Sequence, residues 1–180
     1  MNYNTLAKEI YEANKAVGWW DDPDRCKLTL LQLVSTKIAE ATEAERKDLM
    51  DDHLPHRKGG EVELADAMIR LLNMAGAFGW IYSDDCFKDS FREELDDIQS
   101  IAGKHFTVNC ALDKLNPYMR ECGSKLMASI WYSILLDTIN YIARSQGYDL
   151  EGALREKLAY NAKRQDHKRE TRAAEGGKKF

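Results

Sequence analysis

The chain has 180 residues, 44% of them hydrophobic and 31% charged, with a formal net charge of −4. That length suits one domain with its own core, and the mild acidity argues against a protein that coats nucleic acid or adheres to a membrane surface. The four cysteines (Cys26, Cys86, Cys110 and Cys122) form no CxxC pair, which argues against a zinc ribbon or disulfide scaffold and fits a reducing cytoplasm.

Abundant Ala, Leu, Glu and Lys with only three prolines favour helices, and the expected fold is an all-α bundle of six helices without a strand. The first helix is expected over about 4–17, with Leu6, Ile10 and Ala13 on one side. Asp22-Pro23 supplies an N-cap followed by proline at the first helical position, so a second, acidic helix is expected from there to about Met50. Residues 51–60 read as a polar loop, 61–78 as a third helix closed by Gly79, and 85–102 as a fourth with Phe87, Phe91, Leu95 and Ile98 at core spacing. After Pro117 a long helix to about Ser145 carries Met127, Ile130, Ile134, Leu135, Ile139 and Ile142; Gly147 closes it. The last helix is expected from Asp149 to about 166, followed from about 168 by a charged tail too polar to pack on its own. Neither a signal peptide nor a membrane span is expected.

The third helix carries the chemistry. Glu63, Asp66, Arg70 and Asn73 form one stripe, walled on both sides by Leu64, Ala65, Met68, Ile69, Leu71, Leu72 and Ala75. Carboxylates so placed point into a groove or a bundle interior and need a partner, because an unpaired buried charge costs several kcal/mol. A divalent cation is one such partner. In the second helix Glu40 and Glu43 are helical neighbours. An antiparallel pair of helices would bring Glu40-x-x-Glu43 and Glu63-x-x-Asp66 to one place. Hard oxygen donors suit Mg²⁺ or Mn²⁺, and these ions suit a phosphate-bearing ligand.

The ordered set of motifs extends further. Gly18-Trp-Trp-Asp-Asp22 precedes the acidic helix, Ala39-Glu-Ala41 lies within it, and Glu63-Leu-Ala-Asp-Ala67 follows. Near the end stand Glu156-Lys-Leu-Ala-Tyr-Asn-Ala-Lys-Arg164, His167 and Gly176-Gly-Lys-Lys-Phe180. In these features the chain resembles the MazG-like, all-α nucleoside triphosphate pyrophosphohydrolases, especially their phage-borne versions. The resemblance covers both ends of the chain and is poor over about 81–127, which read as an insertion. It implies a four-helix core with inserted helices and Mg²⁺-dependent (or Mn²⁺-dependent) hydrolysis of a nucleoside or deoxynucleoside triphosphate to the monophosphate and pyrophosphate. It also implies a homodimer or homotetramer in the cytoplasm, of the host if the gene is a phage's, with no nucleic-acid or membrane partner. By the same resemblance Glu40, Glu63 and Asp66 would hold the metal and Glu43 would be the candidate base. Lys157, Asn161 and Arg164, at helical spacing on one face, would hold phosphates.

The chain departs from that pattern at one position. Relatives read Ser-Glu-x-x-Glu-Ala where this chain reads Thr36-Lys37-Ile-Ala-Glu40-Ala41. Lys37 thus stands where a metal-binding glutamate is expected. It could repel the cation, neutralise the remaining acids, contact a bound phosphate, or extend its stem to solvent and leave a three-ligand site. The rival to hydrolysis is therefore a protein that binds and sequesters a nucleotide, such as a host defence signal, without cutting it. A helical interaction module is the third reading. His53 and His56 with Asp51 and Asp52 could hold a metal or be simply solvated. Of Trp19 and Trp20, one is expected to pack and one to lie near a base. Asp137 reads equally as a stray acid or a further ligand.

Overall fold

The computed structural model describes residues 1–119, 123–164 and 171. Among these residues the chain is all-helical. Its elements are α1 (Tyr3–Ala16), α2 (Lys27–Lys47), α3 (Gly59–Phe78), α4 (Asp89–Asp97), α5 (Ile101–Leu115), a 3-10 turn (Asn116–Met119), α6 (Lys125–Ser145) and α7 (Leu150–Asn161). Cys122, His167 and the tail from 168, with its lysines 178 and 179, lie outside the described residues apart from Thr171.

Helix α3 is the axis of the bundle. It packs against α1, α2, α6 and α7, and Val62, Leu64, Ala65, Ala67, Met68, Leu71 and Leu72 are fully buried. A helix apolar on nearly all sides can only be central. One of these neighbours, α1, lies close. A Cβ on Gly76 would come within 2.4 Å of the Ala7 carbonyl oxygen, so glycine here sets the separation of α1 and α3. At the α2 end the chain reverses through Asp48, whose left-handed φ of 51° ends the helix. The loop is then pinned by the Met50–Lys58 bridge. The resulting antiparallel α2–α3 pair brings the two acidic motifs together.

Two expectations are corrected. Helix α2 begins at Lys27 rather than at Pro23, because Asp22 caps a turn at Asp24 and Cys26 occupies the N-cap. The stretch expected as one helix over 85–102 is two. Ile98 is extended, ending α4, and the Ser100 side chain accepts from Gly103 N to start α5. Helix α5 buries Val108, Ala111, Leu112 and Leu115, an i, i+3, i+4, i+7 face against α2 and α6.

Residues 81–83 run extended along α6. Ile81 N donates to Ser129 Oγ at 3.0 Å and Ser83 N to Ser133 Oγ at 3.1 Å. Between them Tyr82 exchanges two hydrogen bonds with the Asn4 side chain of α1. Alternate residues of an extended segment are about as far apart as i and i+4 of a helix, so two serines satisfy two backbone donors in register. Helix α6 is long and apolar enough to cross a membrane by length and composition alone, a test that the core helix of a bundle also passes. Its Tyr132, Leu135, Leu136, Ile139 and Ile142 are fully buried in the bundle.

Candidate functional site

Lys37 leaves the middle of α2 and ends among three carboxylates. Its Nζ lies 2.5 Å from Glu40 Oε2, 3.0 Å from Glu63 Oε2 and 3.2 Å from Asp66 Oδ2. The contact with Glu40 is a hydrogen bond along the helix. The other two cross to α3. Asp66 is buried, at 8% exposure, while the Glu40 side chain opens to solvent. The ammonium therefore sits at the mouth of an acidic recess whose floor is Asp66.

Electrostatics agree with a committed ion cluster. Burial works to lower the Lys37 pKa, but the charges of Asp66 and Glu63 and the bond to Glu40 outweigh it and hold it above the ordinary lysine value. Asp66 is held below the usual carboxylate range despite its burial, by Arg70, Lys37 and Lys157 together. Glu63 moves the other way, raised by burial.

The remaining expected residues divide. Glu43 does not join the cluster: it pairs with Arg46 and Lys47 on the outer face of α2, which brings its carboxyl down to about 2. Lys157 does join. It is 3% exposed, and its charge is felt by both Glu63 and Asp66. Its nearest carboxylate oxygen among the described residues is Asp51 Oδ2, at 3.9 Å, beyond hydrogen-bond reach. Asp51 is meanwhile held elsewhere, its Oδ1 accepting from the amides of His53 and Leu54. One turn on, Asn161 Oδ1 is buried with no hydrogen-bond partner among the described residues. The Arg164 guanidinium lies 5.8 Å from the centre of the Tyr160 ring.

Other residues set the surroundings. Trp20 is packing, edge-on to Tyr11 and Phe78, and donates from Nε1 to Asn73 Oδ1 at 3.1 Å. Trp19 faces a narrow space with Leu30, Leu33, Arg70, Asn73 and Met74, with Arg25 over its ring. His53 packs against Tyr160, and His56 bonds Glu156 at 2.7 Å, so the two histidines serve α7 rather than each other. Asp137 accepts from the Tyr82 hydroxyl.

Sequence reasoning missed Asp51 as the partner of Lys157. It also missed Arg57, which ties the loop before α3 to Glu61, Asp149 and Glu156. The Arg57–Glu61 pair is four residues apart and legible from spacing, but the contacts of Arg57 with Asp149 and Glu156, and of Lys157 with Asp51, join segments about a hundred residues apart that no local spacing signals. Among the described residues no three His, Cys, Asp or Glu side chains are placed to hold a metal ion. As arranged, the acids do not fit one: they serve the Lys37 ammonium, and a divalent ion could join them only if that ammonium left. In comparisons with protein families, curated proteins and solved structures, the chain matches none.

Proposed function

We propose that this chain is a nucleotide-binding protein of the MazG-like kind that holds its ligand without metal-dependent hydrolysis. The observation that carries this reading is the Lys37 ammonium seated at 2.5–3.2 Å from Glu40, Glu63 and Asp66, the acids that would otherwise receive a divalent ion. Phosphoryl chemistry of the metal-bridged type depends on a cation that neutralises phosphate oxygens and positions the nucleophile. A lysine bound by three carboxylates offers neither an open coordination position nor unspent charge. The proposed base, Glu43, is turned to the outer face and paired there.

Binding is supported by the neighbouring elements. Lys157 brings a buried ammonium whose nearest carboxylate oxygen among the described residues, on Asp51, is 3.9 Å away, and Asn161 a buried oxygen without a hydrogen-bond partner among them. Buried polar groups left so are usually completed by a ligand or water.

A second reading keeps the hydrolase: Lys37 swings to solvent, and Mg²⁺ or Mn²⁺ enters between the acids. It is favoured by the convergence of all three acids on one cation. The two are separated by incubating the protein with a panel of nucleoside and deoxynucleoside mono-, di- and triphosphates plus Mn²⁺, denaturing it, and chromatographing the nucleotide. Retention on the native protein and intact recovery support the binding reading. Monophosphate and pyrophosphate appearing with turnover establish the hydrolase.

A further inference from the structure

A cavity of about 260 Å³ lies between α4, α5 and α6 and shares no residue with the acidic recess. Its wall is mostly apolar: Phe91 and Leu95 come from α4, Ala111 from α5, and Trp131 and Ile134 from α6. The gap exists because α4 is pinned to α6 without packing backbone to backbone. Phe87, just before α4, packs against the Tyr141 ring, and near its end Asp96 accepts from the Tyr141 hydroxyl at 2.8 Å. Phe91 and Trp131 remain half-buried, so two aromatic side chains present apolar surface to a space that water can enter. A ligand that covers such surface gains from its removal from water.

The size and chemistry of the wall restrict what fits. A cavity of about 150 Å³ holds one benzene ring, so this one has room for about ten non-hydrogen atoms, a fused pair of rings. The rim carries one acid, Glu94, and one base, Lys114, neither in an ion pair among the described residues. Their opposite charges give no net preference for an ion, and the apolar wall behind them disfavours one. Thr107 and Thr138 also belong to the wall. Thr107 donates its hydroxyl to the Lys104 carbonyl and Thr138 donates to the Ile134 carbonyl, each at 2.7 Å. With their protons spent, both hydroxyls can only accept from a ligand.

We propose that this cavity is a second binding site, for a neutral fused-ring aromatic molecule carrying one N–H or O–H donor. Phe91 and Trp131 meet its rings, and the threonine oxygens meet its donor.

The test is an NMR titration of the full chain with indole, 1-methylindole, tryptamine and indole-3-acetate. The last three remove the donor, add a positive charge and add a negative charge. Indole is expected to bind saturably with a Kd below about 1 mM, with amide shifts concentrated on α4, α5 and α6, and at least about threefold more tightly than each of the others. Ala111→Leu, which fills the cavity, should weaken indole at least about tenfold, with circular dichroism confirming retained helix content. Thr107→Val with Thr138→Val should close the gap between indole and 1-methylindole without touching the cavity's volume. Equal binding of 1-methylindole by the parent, or preference for a charged analogue, would overturn the proposed ligand class. Absence of saturable binding would overturn the site itself, and so would a side chain of a second copy filling the cavity, seen as dissociation of an oligomer by Ala111→Leu. None of these outcomes bears on the nucleotide reading.

Discussion

The ammonium of Lys37 on α2 stands 3.2 Å from the carboxylate of Asp66 on α3. With the contact to Glu63 it joins the two acidic motifs across the helix pair, and it is made by a residue of the sign opposite to the one the motif resemblance leads one to expect. The pair is partly desolvated, with side-chain exposures of 15% and 11%. It is worth more than a surface ion pair, although the desolvation of both partners offsets much of the gain. On the proposed reading its consequence is functional: the ammonium takes the place that a metal ion would otherwise hold among these acids.

Lys157 gives a prediction about the site. Replacing it by methionine keeps the stem and removes the charge. We expect nucleotide affinity to fall at least about a hundredfold, about 2.7 kcal/mol, while Lys157→Arg retains part of it. Affinity in Lys157→Met equal to that of the parent would remove this residue from the binding site.

His105 predicts a pH dependence of folding. Thr42 Oγ1 donates to the Ile38 carbonyl, so it accepts from His105 Nδ1 at 2.8 Å. The other ring nitrogen is buried with no hydrogen-bond partner among the described residues. Burial pushes the His105 pKa down to about 4. The unfolded chain, with a histidine pKa of about 6.5, therefore binds the proton first. Stability should fall as pH drops from about 6.5 towards 4, by at most about 1.4 kcal/mol per pH unit from this residue. Urea midpoints across that range should show the slope, and His105→Gln should flatten it. An unchanged slope in the variant would assign the effect to other groups.

Assembly gives a further prediction. Leu126 and Met127 at the start of α6 and Phe106 on α5 are exposed, Leu126 at 71% and Phe106 at 66%. Exposed apolar side chains of this size are a common feature of contact faces. We expect a homodimer or larger homo-oligomer by light scattering at micromolar concentration, shifted towards monomer by Leu126→Asp or Phe106→Asp. A monomeric parent would contradict this.

The sequence allowed the central features to be read because they are periodic. The stripe Glu63, Asp66, Arg70, Asn73 on α3 and the Lys37, Glu40 spacing on α2 follow from helical geometry alone, and so does the shared face of Lys157 and Asn161. What periodicity cannot supply is the partner across an interface. It placed Lys37 near the acids but did not show it touching all three, and it left Glu43 as a candidate although one turn of helix directs it to Arg46 and Lys47. Helix α5 escaped notice because Gly103, Thr107, Val108 and Asn109 lower local helix propensity. Burial of Val108, Leu112 and Leu115 between neighbouring helices overrides that preference. The Asp22-Pro23 start signal misled because the Asp22 side chain closes a turn instead of capping a helix.

The claim that Lys37 is the resident cation of the acidic recess is tested most directly by thermal unfolding of the parent and Lys37→Ala with and without Mn²⁺. Loss of one partner from a buried charge cluster costs about 3–5 kcal/mol, so the variant should melt well below the parent. Because a ligand of the folded state stabilises by mass action, Mn²⁺ should recover part of that loss in the variant and leave the parent's melting temperature unchanged. A parent that gains stability from Mn²⁺ as much as the variant does would show that the metal shares the recess with Lys37, contradicting the account.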